Sequence, residues 1–467
     1  MAHPVPDRAV AMPAATMEAH VTELTGFGRT TRSRSRVMGL TGRAELQELI
    51  ASRPAGGVLA RGSGLSYGDA AQNADGYVLH PVTARGIELD AVRGTVTATA
   101  ATTFGQILSQ IVPAGFILPV LPGTRHLTVG GAIAADVHGK NHHRDGSISA
   151  WLEQVELVDG TGEIRSMTPA SDPVDVRATA GGMGLTGIIL AATFRLRRIE
   201  TAAMQMVSLR AGNLCEVLSR LQTAPGQYGV AWVDATAGGS SLGRGIVDFA
   251  DHATASQLAS EPPATQARLT SAYQAGQARR APAPPVSLIT PLTARAFNTA
   301  WYRRAPREHA SLVDLASYFH RLDAVDGWNK AAGPDGIFQY QFVVPDNAEH
   351  LIEEALDAVR RNGCAPFLGT IKRFGPATGG ELSFPLPGWC LAIDMPAGRP
   401  QTAMVLQALD LRIADAGGRV YLAKDARLGR DAFHAMYGPL DSWRAARSRL
   451  DPYGVFESDL GRRVGLC

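Results

Sequence analysis

Residues 138–143 read HGKNHH, which puts three of the chain's twelve histidines within six positions. Imidazole titrates near neutral pH, so such a cluster suits acid–base work or metal binding. His138 and His142 are four apart, one helical turn. A zinc site would need three or four ligands placed by a helix or by a second cluster. Here Gly139 interrupts the run, no His-Glu-x-x-His pattern or cysteine pair accompanies it, and Lys140 would repel a cation. No metal is expected. Acid–base chemistry and a wet, imidazole-rich loop remain.

What stands upstream bears on the choice. The stretch LPGTRHLTVGGAIAADVHGK, residues 121–140, runs straight into the histidines, and an earlier loop, RGSGLSYGD, covers residues 61–69. Gly62, Gly64 and Gly68 let successive backbone N–H groups turn inward as an anion-binding nest. Gly123, Gly130 and Gly131 would bring a second run of backbone close to a ligand. Two tight turns are the plainer reading of either loop alone. The first loop lacks G-x-G-x-x-G opening a long helix and lacks G-x-x-x-x-G-K-[ST], so neither a Rossmann fingerprint nor a P-loop is present.

Composition narrows the class. The chain has 467 residues, 45% hydrophobic and 19% charged, which fits a globular protein with two to three domains' worth of core. A net charge of +2 gives no support to nucleic-acid binding. Cys215, Cys364, Cys390 and Cys467 are far apart, so reduced thiols are expected rather than a zinc ribbon or disulfide framework. The first twenty residues read as a frayed arm without the pattern of a signal peptide, and no apolar run is long enough for a membrane span. Peripheral attachment at a membrane stays open.

The elements that must position these residues follow from pattern. A short amphipathic helix is expected over 44–53, and a strand feeds the first glycine loop. Residues 94–115 read as a strand and a helix closed by Pro-Ala-Gly, 151–168 as a hairpin on a D-G-T-G turn, and 184–199 as a glycine-rich entry into a strand. Farther on, FQYQFVVP, a helix over 346–363, CAPFLGTIKRFG, WCLAIDMPA, a second helix and RVYLAKDARL give the order β-α-β-β-α-β, an antiparallel sheet with helices. Residues 253–290 are rich in Ala, Gln, Ser and Pro and read as a mobile loop or lid. No internal repeat is evident.

The two glycine loops, with GGMGLTGII (181–189) and DPYGVFESDLGRR (451–463), resemble the flavin-binding domain of the vanillyl-alcohol-oxidase type. FQYQFVVP, LAKDAR and FHAMY extend the resemblance, from about residue 24 to 463, to the family of oxidase subunits of decaprenylphosphoryl-β-D-ribose 2′-epimerase. It implies an α+β, two-domain fold that binds FAD in residues 1–201 and 418–467, with a substrate domain inserted at 202–417. The implied reaction is oxidation of the 2′-hydroxyl of a polyprenyl-phosphoryl ribose. An NAD(P)H-dependent keto-reductase partner would finish the epimerisation to arabinose, at the membrane or in the periplasm. A sugar or alditol oxidase that releases peroxide is the alternative enzyme, and a flavoprotein scaffold without turnover is the rival from another class.

By the same resemblance, the cofactor would lie along Ala60, Arg61, Gly62, Ser63, Gly64, Leu65, Ser66, Tyr67, Gly68 and Asp69, and along Gly123. Thr128, Val129, Gly130, Gly131, Ala135 and His138 would continue along it, with Ile189 on the adenine side and Tyr421 at the flavin. Lys424, His138 and Tyr67 would be catalytic, and any of the three could serve as base. Lys140, Gln341, Lys372 and Phe374 would line the substrate pocket, with Trp232 and Phe319 at its border.

Departures are informative. Covalent relatives carry a histidine where this chain has Leu65, so FAD is expected to be held non-covalently. Phe319 stands where a tyrosine is expected. Cys390 replaces an asparagine, and Ala392 replaces a cysteine, both facing the ligand. An electrophilic nitroso compound would find no thiol at 392 and should bind reversibly.

Overall fold

The computed structural model describes residues 19–467 except 41, 82, 84, 224, 271–272, 274–277 and 282, so the N-terminal arm lies outside the described residues. The strand Val58–Ala60 belongs to a four-stranded sheet with His20–Thr25, Arg32–Met38 and Tyr77–Leu79. It pairs in parallel with Tyr77–Leu79 and aims its C-terminal end into the first glycine loop. Arg43–Ala51 forms the expected helix and buries Leu46, Leu49 and Ile50.

A five-stranded antiparallel sheet follows, in the order Ile87–Asp90, Thr95–Thr99, Ile188–Arg195, Leu152–Val158, Ile164–Met167. The expected hairpin is its Leu152–Val158/Ile164–Met167 edge, where Val158 pairs with Ile164. Its turn is set by Asp159, which accepts the backbone N–H groups of Thr161 at 2.8 Å and Glu163 at 3.1 Å. The helix Phe104–Ile111 opens on a Thr103–Gln106 capping box and buries Phe104, Ile107, Leu108 and Ile111.

The largest sheet has eight strands, all antiparallel: Glu308–Asp314, Ala203–Ala211, Gly245–His252, Tyr228–Val233, Leu368–Phe374, Gly388–Pro396, Ile337–Val344 and Arg419–Val420. The expected β-α-β-β-α-β unit forms its second half, with helices His350–Arg361 and Pro400–Asp415. Its first half repeats the topology. Strand 203–211, helix Leu214–Gln222, strands 228–233 and 245–252, further helices and strand 308–314 occur in the same order, and the halves meet at 228–233 and 368–374. No internal repeat was expected from the sequence; the duplication lies in the topology.

Two expectations need correction. RVYLAKDARL is not a strand beyond Arg419–Val420. After Tyr421 donates its N–H to Gln341 O, the N–H groups of Lys424 and Asp425 turn back onto Tyr421 O, and the chain leaves the sheet as a tight turn. Residues 253–290 are not one irregular loop either. Ala255–Ala259 and Pro263–Thr270 are helices, and Leu258 and Leu269 bury against Ala203 and Ala253 at one end of the large sheet.

One hydrophobic cluster runs through both large sheets and the C-terminal helices, from Phe104 and Phe194 through Phe342 and Leu391 to Phe433 and Leu460. The C-terminal helix Asp459–Val464 carries Arg463, which grips Asp69 of the first glycine loop at 2.7 Å and Asp425 of the 421–425 turn at 2.8 Å. Both carboxylates are buried. Arg463→Gln leaves them unpaired, a loss of about 3–5 kcal/mol for a broken buried pair. Denaturant unfolding is expected to show a loss of that size together with weaker flavin retention; an unchanged midpoint would refute the linkage.

Candidate active site

The two glycine loops lie side by side. Ser63 Oγ donates to His126 O at 2.6 Å, and a Cβ on Gly62 would sit 2.2 Å from Thr128 Oγ1. Gly64 has φ +66°, where a side chain is strained. A Cβ on Gly68 would sit 2.0 Å from Asp425 O, so glycine lets the loop pass against the 421–425 turn. Among the described residues, no hydrogen bond uses the backbone N–H of Gly62, Ser63, Gly64, Leu65 or Ser66. Five consecutive free donors in a glycine-rich turn fit the diphosphate of FAD.

The second loop has a different use. Thr128 caps the helix Val129–Ala134 by accepting from Gly131 N, and Gly130 packs on Ala100, where a Cβ would meet the alanine at 3.2 Å. Gly130 and Gly131 therefore also serve close helix packing. Arg61 turns into the protein and donates to Ala71 O at 2.6 Å and Thr25 O at 2.8 Å, so its guanidinium braces the loop. Asp69 is committed to Arg463. Ala60 ends the strand that feeds the loop, Ile189 is buried in the five-stranded sheet opposite Leu157, and a Cβ on Gly123 would meet no protein atom.

The register of the large sheet explains why residues expected on the substrate side, scattered along the chain, converge. Gln341 pairs with Ala392, Ala392 with Thr370, and Thr370 with Trp232. Two residues along, Val343 pairs with Cys390 and Cys390 with Lys372; two the other way, Gln339 pairs with Asp394. Side chains alternate between faces, so all of these point to one face. The opposite face presents Phe342, Leu391, Ile393 and Ile371, fully buried. Tyr340 on that face donates to Asp410 of the helix 400–415.

His138 packs directly on the polar face. Gln341 Nε2 donates to His138 Nε2 at 2.9 Å and lies 3.4 Å from Cys390 Sγ. The ring stands edge-on to Phe374 at 4.8 Å and lies 5.3 Å from Tyr421. Burial, then the charges of Lys372, His142 and Lys424, push its pKa well below the usual histidine value. His138 is therefore neutral, and its Nδ1 is buried without a protein partner. Tyr421 donates its hydroxyl to Ala135 O at 2.9 Å and stacks on Phe384.

Lys140 Nζ donates to Tyr318 O and lies 3.9 Å from the Tyr318 ring centroid. Burial lowers its pKa to about 7. Burial also lowers that of Lys372, against the pull of Cys390. Phe319 is buried on Tyr228 and Tyr318, with Lys140 Nζ 5.9 Å from its centroid. The hydroxyl lost at 319 is thus lost from an aromatic wall behind the lysine.

At the other end Lys424 Nζ sits 4.1 Å from the ring centroid of Tyr67. Lys424 keeps partial solvent contact yet lies deep in protein; that depth lowers its pKa, and Asp394 opposes the shift. Asp394 was not singled out from the sequence. It is 1% exposed and accepts both its Gln339 bonds at 2.9 and 3.0 Å. Burial raises its pKa, against hydrogen bonds from Gln339 and Tyr67 and the charge of Lys424. The same burial and the Asp394 charge push Tyr67 far above an ordinary tyrosine. Asp394 stands in WCLAIDMPA, and its only signal there is a lone acid in an otherwise apolar strand. Gln339 was likewise missed, though it alternates with Gln341.

HGKNHH divides as its residues part. His138 and Lys140 enter the cleft, and His142 packs its ring on Phe374 at 4.5 Å while accepting Gly375 N–H. Cys390 is buried, and burial pushes its thiol up to about 11 despite Lys372. A protonated thiol is a weak nucleophile. Intact-mass measurement after treatment with a nitroso electrophile at pH 7 is expected to find no adduct at Cys390, whereas exposed Cys215 reacts with a maleimide. A stable adduct on Cys390 would overturn this.

Residues 37–168 match the family model described as an FAD binding domain. Over 452 residues the chain is 37% identical to decaprenylphosphoryl-beta-D-ribose oxidase of Mycolicibacterium smegmatis, covering 95% of this chain and 97% of that protein. It is 38% identical over 379 residues to an uncharacterized protein in the mprA 5′ region of Streptomyces coelicolor, covering 78% of this chain and 100% of that one. A shorter similarity, 25% over 128 residues, joins 26% of this chain to 22% of L-gulonolactone oxidase 5 of Arabidopsis thaliana. With near-complete coverage of the mycobacterial oxidase and an FAD binding domain over the nest-forming loop, this chain belongs to the decaprenylphosphoryl-β-D-ribose oxidase family.

Proposed function

We propose that this protein oxidises the 2′-hydroxyl of decaprenylphosphoryl-β-D-ribose to a 2′-keto sugar. The observation that carries the reading is the convergence of Tyr67, Asp394 and Lys424 beside His138 and Gln341, in a chain that matches the mycobacterial oxidase almost end to end. FAD, bound non-covalently along residues 61–69, supplies the hydride acceptor. Residues 1–201 and 418–467 form the cofactor domain, and 202–417 form the inserted substrate domain, whose strands make up the large sheet up to residue 396. Lys140 and Lys372 offer cationic partners to the substrate phosphate.

The proton of the reacting hydroxyl needs an acceptor. His138 already uses Nε2 to accept from Gln341, which leaves it an orienting role. Tyr67 cannot hold negative charge in this setting but can pass a proton to Asp394. Lys424 keeps Asp394 ionised and places positive charge where electron density arrives. The keto product then requires an NAD(P)H-dependent reductase as partner. The site of action is the membrane surface or the periplasm; no described helix is long and apolar enough to cross a membrane.

Mixing the yellow holoprotein with the lipid-linked ribose is expected to bleach the flavin band, while free alditols leave it unchanged. Rapid peroxide formation from a free alditol would favour the alditol-oxidase reading instead. Lys424 carries charge below its lowered pKa of about 8 and loses it above, so the single-turnover reduction rate should fall as pH rises through that value. Lys424→Arg keeps the cation and should move this limb upward. An unmoved limb would separate Lys424 from the pH dependence.

A further inference from the structure

Of the thirteen large hydrophobic residues exposed among the described residues, seven lie between Val286 and Val325. Three of them stand on the helix Pro291–Arg304, which buries only Ala294 and Asn298. Leu292 is 77%, Phe297 60% and Trp301 41% exposed. Phe297 and Trp301, one turn apart, stack with centroids 6.3 Å apart and planes 15° apart. Large aromatic side chains left in water on a helix mark an interaction surface.

The charged residues of the helix itself have one sign. The helix has no acidic residue, and Arg295, Arg303 and Arg304 are exposed on it. In the sequence, residues 262–307 hold seven arginines and neither aspartate nor glutamate. A second copy of this chain meeting the patch about a twofold axis would set arginine against arginine. A polyprenyl tail alone would give the guanidinium groups no partner. An anionic bilayer surface satisfies both features at once, taking the rings into the headgroup boundary and the arginines onto phosphates.

The segment that carries these residues also packs against the candidate site's elements at both ends. Ile289, next to exposed Leu288, packs in the cluster that contains Tyr67, Trp328 and Phe367. At the other end Tyr302 lies against Arg210 at 5.3 Å, and the register of Arg210 with Ile246 and of Ile246 with Trp232 puts Arg210 on the open polar face of the large sheet. The apolar strip therefore runs from the Tyr67 cluster at Ile289 to Arg210 of the large sheet.

We infer that the helix Pro291–Arg304 docks the protein onto an anionic phospholipid surface through Phe297 and Trp301, with the cleft mouth turned to the bilayer. The biological purpose rests on the proposed lipid-linked substrate, but the docking can be read without it. Holoprotein is sedimented with vesicles of phosphatidylcholine containing about one-third phosphatidylglycerol. Wild type is expected to partition onto them, more weakly at high salt and at least about tenfold more weakly onto pure phosphatidylcholine. F297S/W301S, and separately R295Q/R303Q/R304Q, should each lose at least about tenfold in partitioning. Both should keep their flavin content and their reduction by a detergent-dispersed short-chain substrate. The inference fails if wild type stays in the supernatant, if it binds neutral vesicles equally well, if the F297S/W301S variant binds like wild type, or if these residues instead mediate self-association. Vesicle binding without any flavin bleaching would leave the docking standing and sink the proposed reaction.

Discussion

Arg463 holds two buried carboxylates that the chain contributes 356 residues apart, Asp69 at the end of the first glycine loop and Asp425 beside Lys424. The first glycine loop and the turn that carries Lys424 belong to different segments. Tyr67 N–H donates to Ala423 O at 2.9 Å between them, the tail arginine ties their carboxylates together, and Gly68 lets the loop lie directly on the Asp425 carbonyl. A planar guanidinium suits this task, because its fork gives Asp69 two bonds and still reaches Asp425 and Leu428 O. Geometry at the Tyr67–Lys424–Asp394 cluster thus rests on the Tyr67–Ala423 backbone bond and on the ion-pair knot beside it.

The second constraint is strand register. One slip of a single residue in strand 337–344 would send Gln339 and Gln341 to the helix-covered face and bring Tyr340 and Phe342 into the cleft. The apolar side of these strands is what forbids it, since Phe342, Leu391 and Ile393 would lose full burial. Packing on one face therefore positions chemistry on the other. The topological duplication of the sheet widens the polar face, so that Trp232, Arg210 and Asp248 extend it past the reacting end.

Electrostatics in the cleft is a balance of buried groups of both signs. Lys140, Lys372 and Lys424 all have lowered pKa values because burial disfavours their charge, while Asp394 is raised for the same reason. Only Asp394 sits close enough to Lys424 to oppose its shift strongly. Asp248 opposes the shift of Lys140, while Lys372 has only the Cys390 thiol to oppose its burial, which makes an anionic ligand favourable there. His138, between cations, is forced neutral.

Much of this was legible in the sequence. The glycine spacing of residues 61–69 and the helix starts and stops around 350–361 and 400–415 are local patterns that motif and periodicity report, while His138, Gln341, Lys372 and Lys424 were singled out by the family resemblance. Asp394, Gln339 and Arg463 as partners were not, because nothing near them in sequence says which strand lies alongside or which tail folds back. The same holds for Lys424, read as a strand residue and found in a turn, where Tyr421 O collects two N–H groups and ends the strand. Residue types and short spacings determined the chemistry this protein can hold. Long-range pairing alone decided which of those residues meet, because register, burial and buried ion pairs join segments that are distant along the chain.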